Sequence, residues 1–135
     1  MEHLTLRPIG RVRSPYKVPG DAPRQGRFSD TVSEIIIDDA FLPGLRDLAA
    51  KKHIIVLSWF DRSDRSMLAA TPPGDTKEHG VFATRSPNRP NPVGLCVVDL
   101  ISIKGPVLTV RGLDSLDGTP VIDIEPYSPE IDCVR

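Results

Sequence analysis

Short runs of β-branched and aromatic residues, separated by stretches rich in proline and glycine, recur along the chain. "KHIIVLSWF" (52–60) is the strongest of them, and its content fits a central strand. "SEIIIDD" (33–39), "GVFATR" (80–85), "VGLCVVDLISI" (93–103), "VLTVRGL" (107–113) and "PVIDI" (120–124) read as further strands. "LTLRPIGRVRS" (4–14) alternates weakly and reads as an early one. "KGP" (104–106) and "SLDGTP" are the turns between the last three. The exception is "FLPGLRDLAA" (41–50), where Phe41, Leu45 and Leu48 fall at helical spacing with Pro43 near the start, so one short helix is expected. Two polar stretches, 14–30 and 61–79, are longer than ordinary connections, and loops of that length are either functional or disordered. Six or seven short strands with one helix predict an all-β (mainly β) fold, a small single-sheet β-barrel that is closed or nearly closed. No repeat or linker divides the chain, so residues 1–135 are expected to form one domain.

Composition narrows this further. Fourteen prolines and ten glycines favour frequent turns over long helices. No apolar run approaches the roughly 20 residues needed to cross a bilayer as a helix, and "MEHLTLRPIG" lacks the apolar segment of a secretory signal. A cytoplasmic protein without a membrane partner is the expectation. Cys96 and Cys133 have no ligand-like spacing, and His3, His53 and His79 are scattered, so no metal site is predicted. The net charge of −1 argues against a uniformly basic nucleic-acid binder, yet the charge is uneven. Residues 1–30 carry six Lys/Arg against three acids, and residues 99–132 carry seven acids against two Lys/Arg. Arginine outnumbers lysine twelve to five, which suits bidentate capture of carboxylates and phosphates.

"ATRSPNRPNP" (83–92) places three prolines and two arginines between two apolar runs. Each residue before a proline (Ser86, Arg89, Asn91) is pushed to an extended conformation, and each proline removes a backbone donor. The outcome is a stiff connector that fixes the directions of Arg85 and Arg89, as an anion-binding site requires. The plainer alternative is a stiff loop with solvated arginines, or a PxxP ligand running from Pro87 to Pro90.

"LDSLDGTPVIDIEPY" collects Asp114, Asp117, Asp123 and Glu125. Asp117-Gly118 signals a turn whose N–H groups could form a concave donor site, or could simply make a hairpin. Strand alternation puts Asp123 on one face with Val121, opposite Ile122 and Ile124, either toward solvent or into a site.

"IGRVRSPYKVPGDAPRQG", "GVFATRSPNRPNPVGL" and "LDGTPVIDIEPYSP", in that order and spacing, resemble the TsaA-like (TrmO/YaeB) family over nearly the whole chain. Those proteins are S-adenosylmethionine-dependent tRNA adenosine N6-methyltransferases. The resemblance implies a β-barrel methyltransferase with S-adenosyl-L-methionine bound near a homodimer interface, and a tRNA substrate. The absence of GxGxxG and of repeated βα units agrees that the sheet is not of the Rossmann type. Motif by motif, it implies cofactor contacts from Pro23, Arg24 and Gln25, from Arg85 and Leu95, and from Asp117, Gly118, Thr119 and Pro120. Asp61 and Arg62 also fall where the family contacts cofactor, although better-known members have a His-Gln pair there. Many members also continue beyond the point where this sequence stops. For the proton on the adenine nitrogen, Asp123 is the first candidate base and Tyr127 the second. Methylation of a small molecule or another RNA is the alternative activity, and a non-catalytic S-adenosylmethionine-binding module the alternative class.

Overall fold

The alternation in these runs becomes a closed antiparallel barrel in the computed structural model, which describes residues 3–23 and 25–134. Its strands are β1 (Gly10–Arg13), β2 (Val32–Ile37), β3 (His53–Trp59), β6 (Val93–Lys104), β7 (Val107–Arg111) and β8 (Pro120–Pro126). Around the barrel the order is β1-β2-β7-β6-β3-β8. Two further strands, β4 (Ala69–Ala70) and β5 (His79–Gly80), pair only with each other. Every second residue of the barrel strands points inward, so Ile35, Ile54, Val56, Val98, Leu108 and Val110 are fully buried. Burying each such side chain contributes roughly 1.5–3 kcal/mol.

Two local departures from the sequence pattern matter for the site. Along the β3–β8 pairing, Leu57 faces Asp123 but Ser58 faces Val121, so Ile122 is an extra residue, a bulge. Simple alternation would keep Val121 and Asp123 on one face. The bulge separates them: Val121 is fully buried, Asp123 is exposed, and Ile124 packs against the core. The expected strand over 80–85 is also shorter than its apolar content suggested. It ends at Gly80 and is followed by a 3₁₀ turn, Val81–Ala83, with Val81 buried.

The mainly β barrel matches the sequence pattern, but the helical segment is wound differently. Residues 39–50 form two 3₁₀ segments, Asp39–Leu45 and Leu48–Ala50. Pro43 lies inside the first, and Asp47 between them adopts left-handed backbone at φ 67°. A proline without an N–H and a left-handed residue prevent a continuous α-helix. Phe41, Leu45 and Leu48 still turn toward the core, as their spacing required. The one α-helical turn among the described residues is α1 (Pro129–Asp132).

Because neighbouring strands are all antiparallel, three of the connections leave one end of the barrel. These are residues 14–31 after β1, 60–92 after β3 and 112–119 after β7. The other end is closed by the 3₁₀ segments and by the tight turn between β6 and β7.

Candidate functional site

Beneath the three loops, the barrel interior changes character. The five buried polar residues among those described, Ser14, Ser33, Ser58, Ser115 and Thr119, lie in this layer. Ser14 donates through Oγ to the Ser115 carbonyl at 2.9 Å, and Thr119 donates through Oγ1 to the Leu116 carbonyl at 2.6 Å. The Ser58 and Ser115 hydroxyls lie 3.5 Å apart. Only Ser33 Oγ finds no partner among the described residues. The loops therefore rest on small, directional groups as well as on the buried apolar side chains of Val81, Pro92 and Leu113.

The proline-rich stretch 83–92 is fixed from inside and outside. Arg89 folds back, donating through Nη1 to the carbonyls of Thr84 at 2.9 Å and Ser86 at 3.3 Å. It staples its own loop through that nitrogen, whereas Arg85 makes no bond to the loop that carries it among the described residues. From outside, Arg65 donates to the Pro90 carbonyl at 2.7 Å and to Asn91 Oδ1 at 3.1 Å, with its guanidinium 5.1 Å from the centre of the Trp59 ring. Asn88 Oδ1 accepts the Asp64 N–H at 2.9 Å. Arg85 is exposed, and its one hydrogen bond among the described residues is a long one, 3.4 Å from Nη1 to Gln25 Oε1. The fold thus brings Gln25 and Arg85, sixty residues apart, to one place. Pro23 is half-buried in the same loop as Gln25, whereas Arg24 lies outside the described residues. Leu95 points outward from β6 and is 58% exposed.

A second group forms around Arg62. Rather than pairing with Asp61 or Asp64, it donates to the carbonyls of Lys17 and Asp117. Asp117 accepts the Ser14 N–H at 3.0 Å and pairs with Lys17 Nζ at 3.2 Å, which together hold its carboxyl below the usual value. The turn that follows needs Gly118, whose φ is +83°. Its N–H groups are committed: Asp117 donates to Tyr16, Gly118 to Val12 and Thr119 to Leu116. They do not form an open cup for an anion. Thr119 and Pro120 are buried, and Asp61 is exposed at the start of its loop.

Neither candidate base joins these groups within one chain. Asp123 is exposed on β8, accepts the N–H of its neighbour Ile124, and borders a hollow under the 3₁₀ segments lined by Ile9, Phe41, Leu45 and Leu48. Tyr127 follows the far end of β8, where its N–H meets the His53 carbonyl and its ring stands edge-on to His53.

The structure adds residues that the sequence did not mark. A Cβ on Gly26 would lie 1.7 Å from the Gly112 carbonyl oxygen and 2.7 Å from Cys96 Sγ, so only glycine fits that approach. Cys96 donates to the Gly112 carbonyl at 3.2 Å; burial, with the Asp114 charge beside it, pushes its thiol up to about 12. Burial likewise pushes the Asp114 carboxyl upward. No local pattern announces these contacts, because each joins distant segments. Among the described residues there is no group of three His, Cys, Asp or Glu side chains able to hold a metal, and no helix long and apolar enough to cross a membrane.

Residues 11–133 match the family described as the tRNA-methyltransferase O N-terminal domain. An S-adenosyl-L-methionine-binding protein of Archaeoglobus fulgidus is 59% identical over 132 residues, covering 98% of this chain and 95% of the relative. A putative S-adenosylmethionine-dependent methyltransferase, RcsF of Pseudomonas aeruginosa, is 36% identical over 99% of this chain and 58% of its own length. A crystal structure of TrmO from the same organism superposes with a TM-score of 0.82 at 33% identity, over 99% of this chain and 59% of that one. The chain therefore spans nearly all of the archaeal relative but only about three-fifths of the Pseudomonas proteins.

Proposed function

The chain belongs to the tRNA-methyltransferase O N-terminal domain family, and from that premise we propose that it methylates N6 of threonylcarbamoyl-modified adenosine beside the anticodon of a tRNA. At the coarser level it is an S-adenosylmethionine-binding methyltransferase of that family. The observation that carries the reading to particular residues is Arg85, exposed on a proline-stiffened loop with Gln25 as its one described partner. Most of its planar fork stays free to grip a carboxylate through charge-assisted hydrogen bonds. The side chains fit the cofactor: a guanidinium for its carboxylate, the Gln25 amide, and the exposed side chain of Leu95 for an apolar part.

Bound S-adenosylmethionine supplies an electrophilic methyl group on a sulfonium. The chain's own residues hold and orient. Pro23, Arg24, Gln25, Arg85 and Leu95 form one proposed group of contacts. Asp61, Arg62 and Asp117 to Pro120 form the other, with Arg62 fixing two turns through their carbonyls. Displacement needs the acceptor nitrogen about 3–3.5 Å from the methyl carbon, so positioning is the main contribution. The acceptor's lone pair is delocalised into its carbamoyl group, and a base taking its proton would add roughly 10²–10⁴-fold. If Asp123 or Tyr127 takes that proton, it does so on a partner's cofactor, because each lies away from the loops of its own chain. A homodimer supplies that partner. The outer face of β3 and β6 offers an apolar stripe, Leu57 and Trp59 opposite Leu95 and Val93.

One observation favours a second reading, a small-molecule acceptor. Arg62, Arg65 and Arg89 keep their charge but spend some of their donors on carbonyls of the protein itself, which leaves fewer for RNA phosphates. Two measurements separate the readings. Calorimetry is expected to show S-adenosylmethionine binding that Arg85→Ala weakens by more than about tenfold. Mass spectrometry of tRNA nucleosides from a deletion strain is expected to show loss of the methyl group from methylated threonylcarbamoyladenosine. Unchanged nucleosides, with cofactor binding intact, would remove the tRNA substrate and leave the small molecule or the binding module.

A further inference from the structure

The loop over 14–31 carries Pro23 and Gln25, yet no strand among its described residues holds it. Its two ends are tied to the neighbouring loops, Ser14 to Ser115 and Asp117 and the Thr31 carbonyl to the Gly112 N–H, and between them two adjacent residues dock beside Gln25. Gly26 sits flush against the Gly112 carbonyl and Cys96 Sγ, where β6 and β7 have parted. Arg27 then donates through Nη1 to Asp99 Oδ1 at 3.1 Å, on the outer face of β6. The same oxygen lies 3.0 Å from His53 Nδ1, and Arg111 Nη1 is 3.9 Å from the other oxygen. Three cationic or basic side chains from three segments thus converge on one carboxylate. Against the upward push of burial, Arg27 and then His53 hold that carboxyl below its ordinary value, so it stays charged.

Stability does not account for this arrangement. The Arg27 side chain is 58% exposed, and ion pairs that open to water contribute about 0–1 kcal/mol. What the pair does fix is direction. Asp99 stands four residues along β6 from Leu95, and Arg27 two residues along its loop from Gln25. Their bond sets the offset between the loop and the strand that carry the proposed contacts.

We infer that Asp99 is a positioning residue, which through Arg27 locks the 14–31 loop so that Gln25 meets Arg85. The inference rests on the cofactor site proposed above, but its first readout needs no ligand. Amide hydrogen exchange over residues 14–31 is expected to quicken in Asp99→Asn and in Arg27→Gln, while the barrel strands exchange as before. Calorimetry is then expected to show S-adenosylmethionine binding weaker by up to about fivefold in both, the most that an exposed ion pair can return. Turnover at saturating cofactor should be nearly unchanged, so that KM moves and kcat does not. Because the bond is made through one nitrogen, Arg27→Lys should restore most of the affinity, which a merely structural loss would not allow. Unchanged exchange and unchanged affinity in both variants would overturn the inference. If the wild type binds no S-adenosylmethionine, the proposed function falls, while the exchange comparison still decides whether Asp99 locks the loop.

Discussion

The two ends of the barrel solve the same problem with different chemistry. At the closed end, Phe41, Leu42, Leu45 and Leu48 cover the core with apolar side chains on two 3₁₀ segments. Such contacts are non-directional, and a small shift of one side chain changes little. At the open end, serines lie under three loops that are tied by guanidinium–carbonyl bonds, a glycine notch and a shared carboxylate. Those contacts are directional, so each fixes a backbone position to a fraction of an ångström. The lesson is that one end is built to be closed and the other to be placed. Only the second can present Arg85 and Gln25 at a defined separation.

The sharpest way to break this comparison is Gly26→Ala. The added methyl has backbone and sulfur in its way, so stability should fall by about 3 kcal/mol, the upper range for overpacking, and cofactor binding should be lost with it. Denaturation and calorimetry on the same sample test whether the two losses travel together. Phe41→Ala, at the closed end, should cost about 2 kcal/mol for a partly buried ring and leave cofactor affinity as it was. A drop in affinity there would show that the ends are not independent.

Alkaline pH gives a third comparison. The Cys96 thiol is raised from 9.0 to about 12 in the fold. Below pH 9 it is protonated in both states, and its contribution is intact. As pH rises from 9 toward 12 the unfolded chain releases the proton and the folded one keeps it. Stability therefore falls by at most about 1.4 kcal/mol per pH unit. Urea unfolding at pH 8 and pH 10 should show a steeper decline for wild type than for Cys96→Ala. The smallest effect is expected at Ser33, whose hydroxyl has no partner among the described residues. Ser33→Ala should change stability by no more than about 0.5 kcal/mol, because it removes an unsatisfied group. A loss of over 1 kcal/mol would mean that this hydroxyl is bound after all.

Much of the barrel was legible in the chain because strand alternation is a local property. The runs around Ile35, Val56 and Leu108 announce both their faces and their burial. Val121 and Asp123 do not share a face as alternation required, for a reason that is not local: the bulge at Ile122 is defined only by pairing with Leu57 and Ser58. The 41–50 segment kept its apolar face but not its helix, since Pro43 and the left-handed Asp47 outweigh the spacing. In the candidate site, the stiffness of 83–92 could be read from its prolines. That Arg89 staples the loop while Arg85 reaches Gln25 could not, because both arginines carry the same sequence signal. Arg62, Gly26 and Asp99 act on partners dozens of residues away, and no spacing rule foretells such meetings.

The grip of Arg65 on Pro90 and Asn91 has a consequence for how the chain tolerates change in length. It closes the excursion after β3 into a ring at its base, and the β4–β5 pair zips the interior of that ring. Residues 73–78, at the tip, are exposed and are not barrel strand. For a loop whose ends are already joined, doubling the length adds only about 0.6 kcal/mol of closure entropy. A foreign peptide inserted at Gly74 should therefore leave the barrel and Arg85 undisturbed. That tip is where this domain could carry a tag, or a new recognition segment, beside its own site.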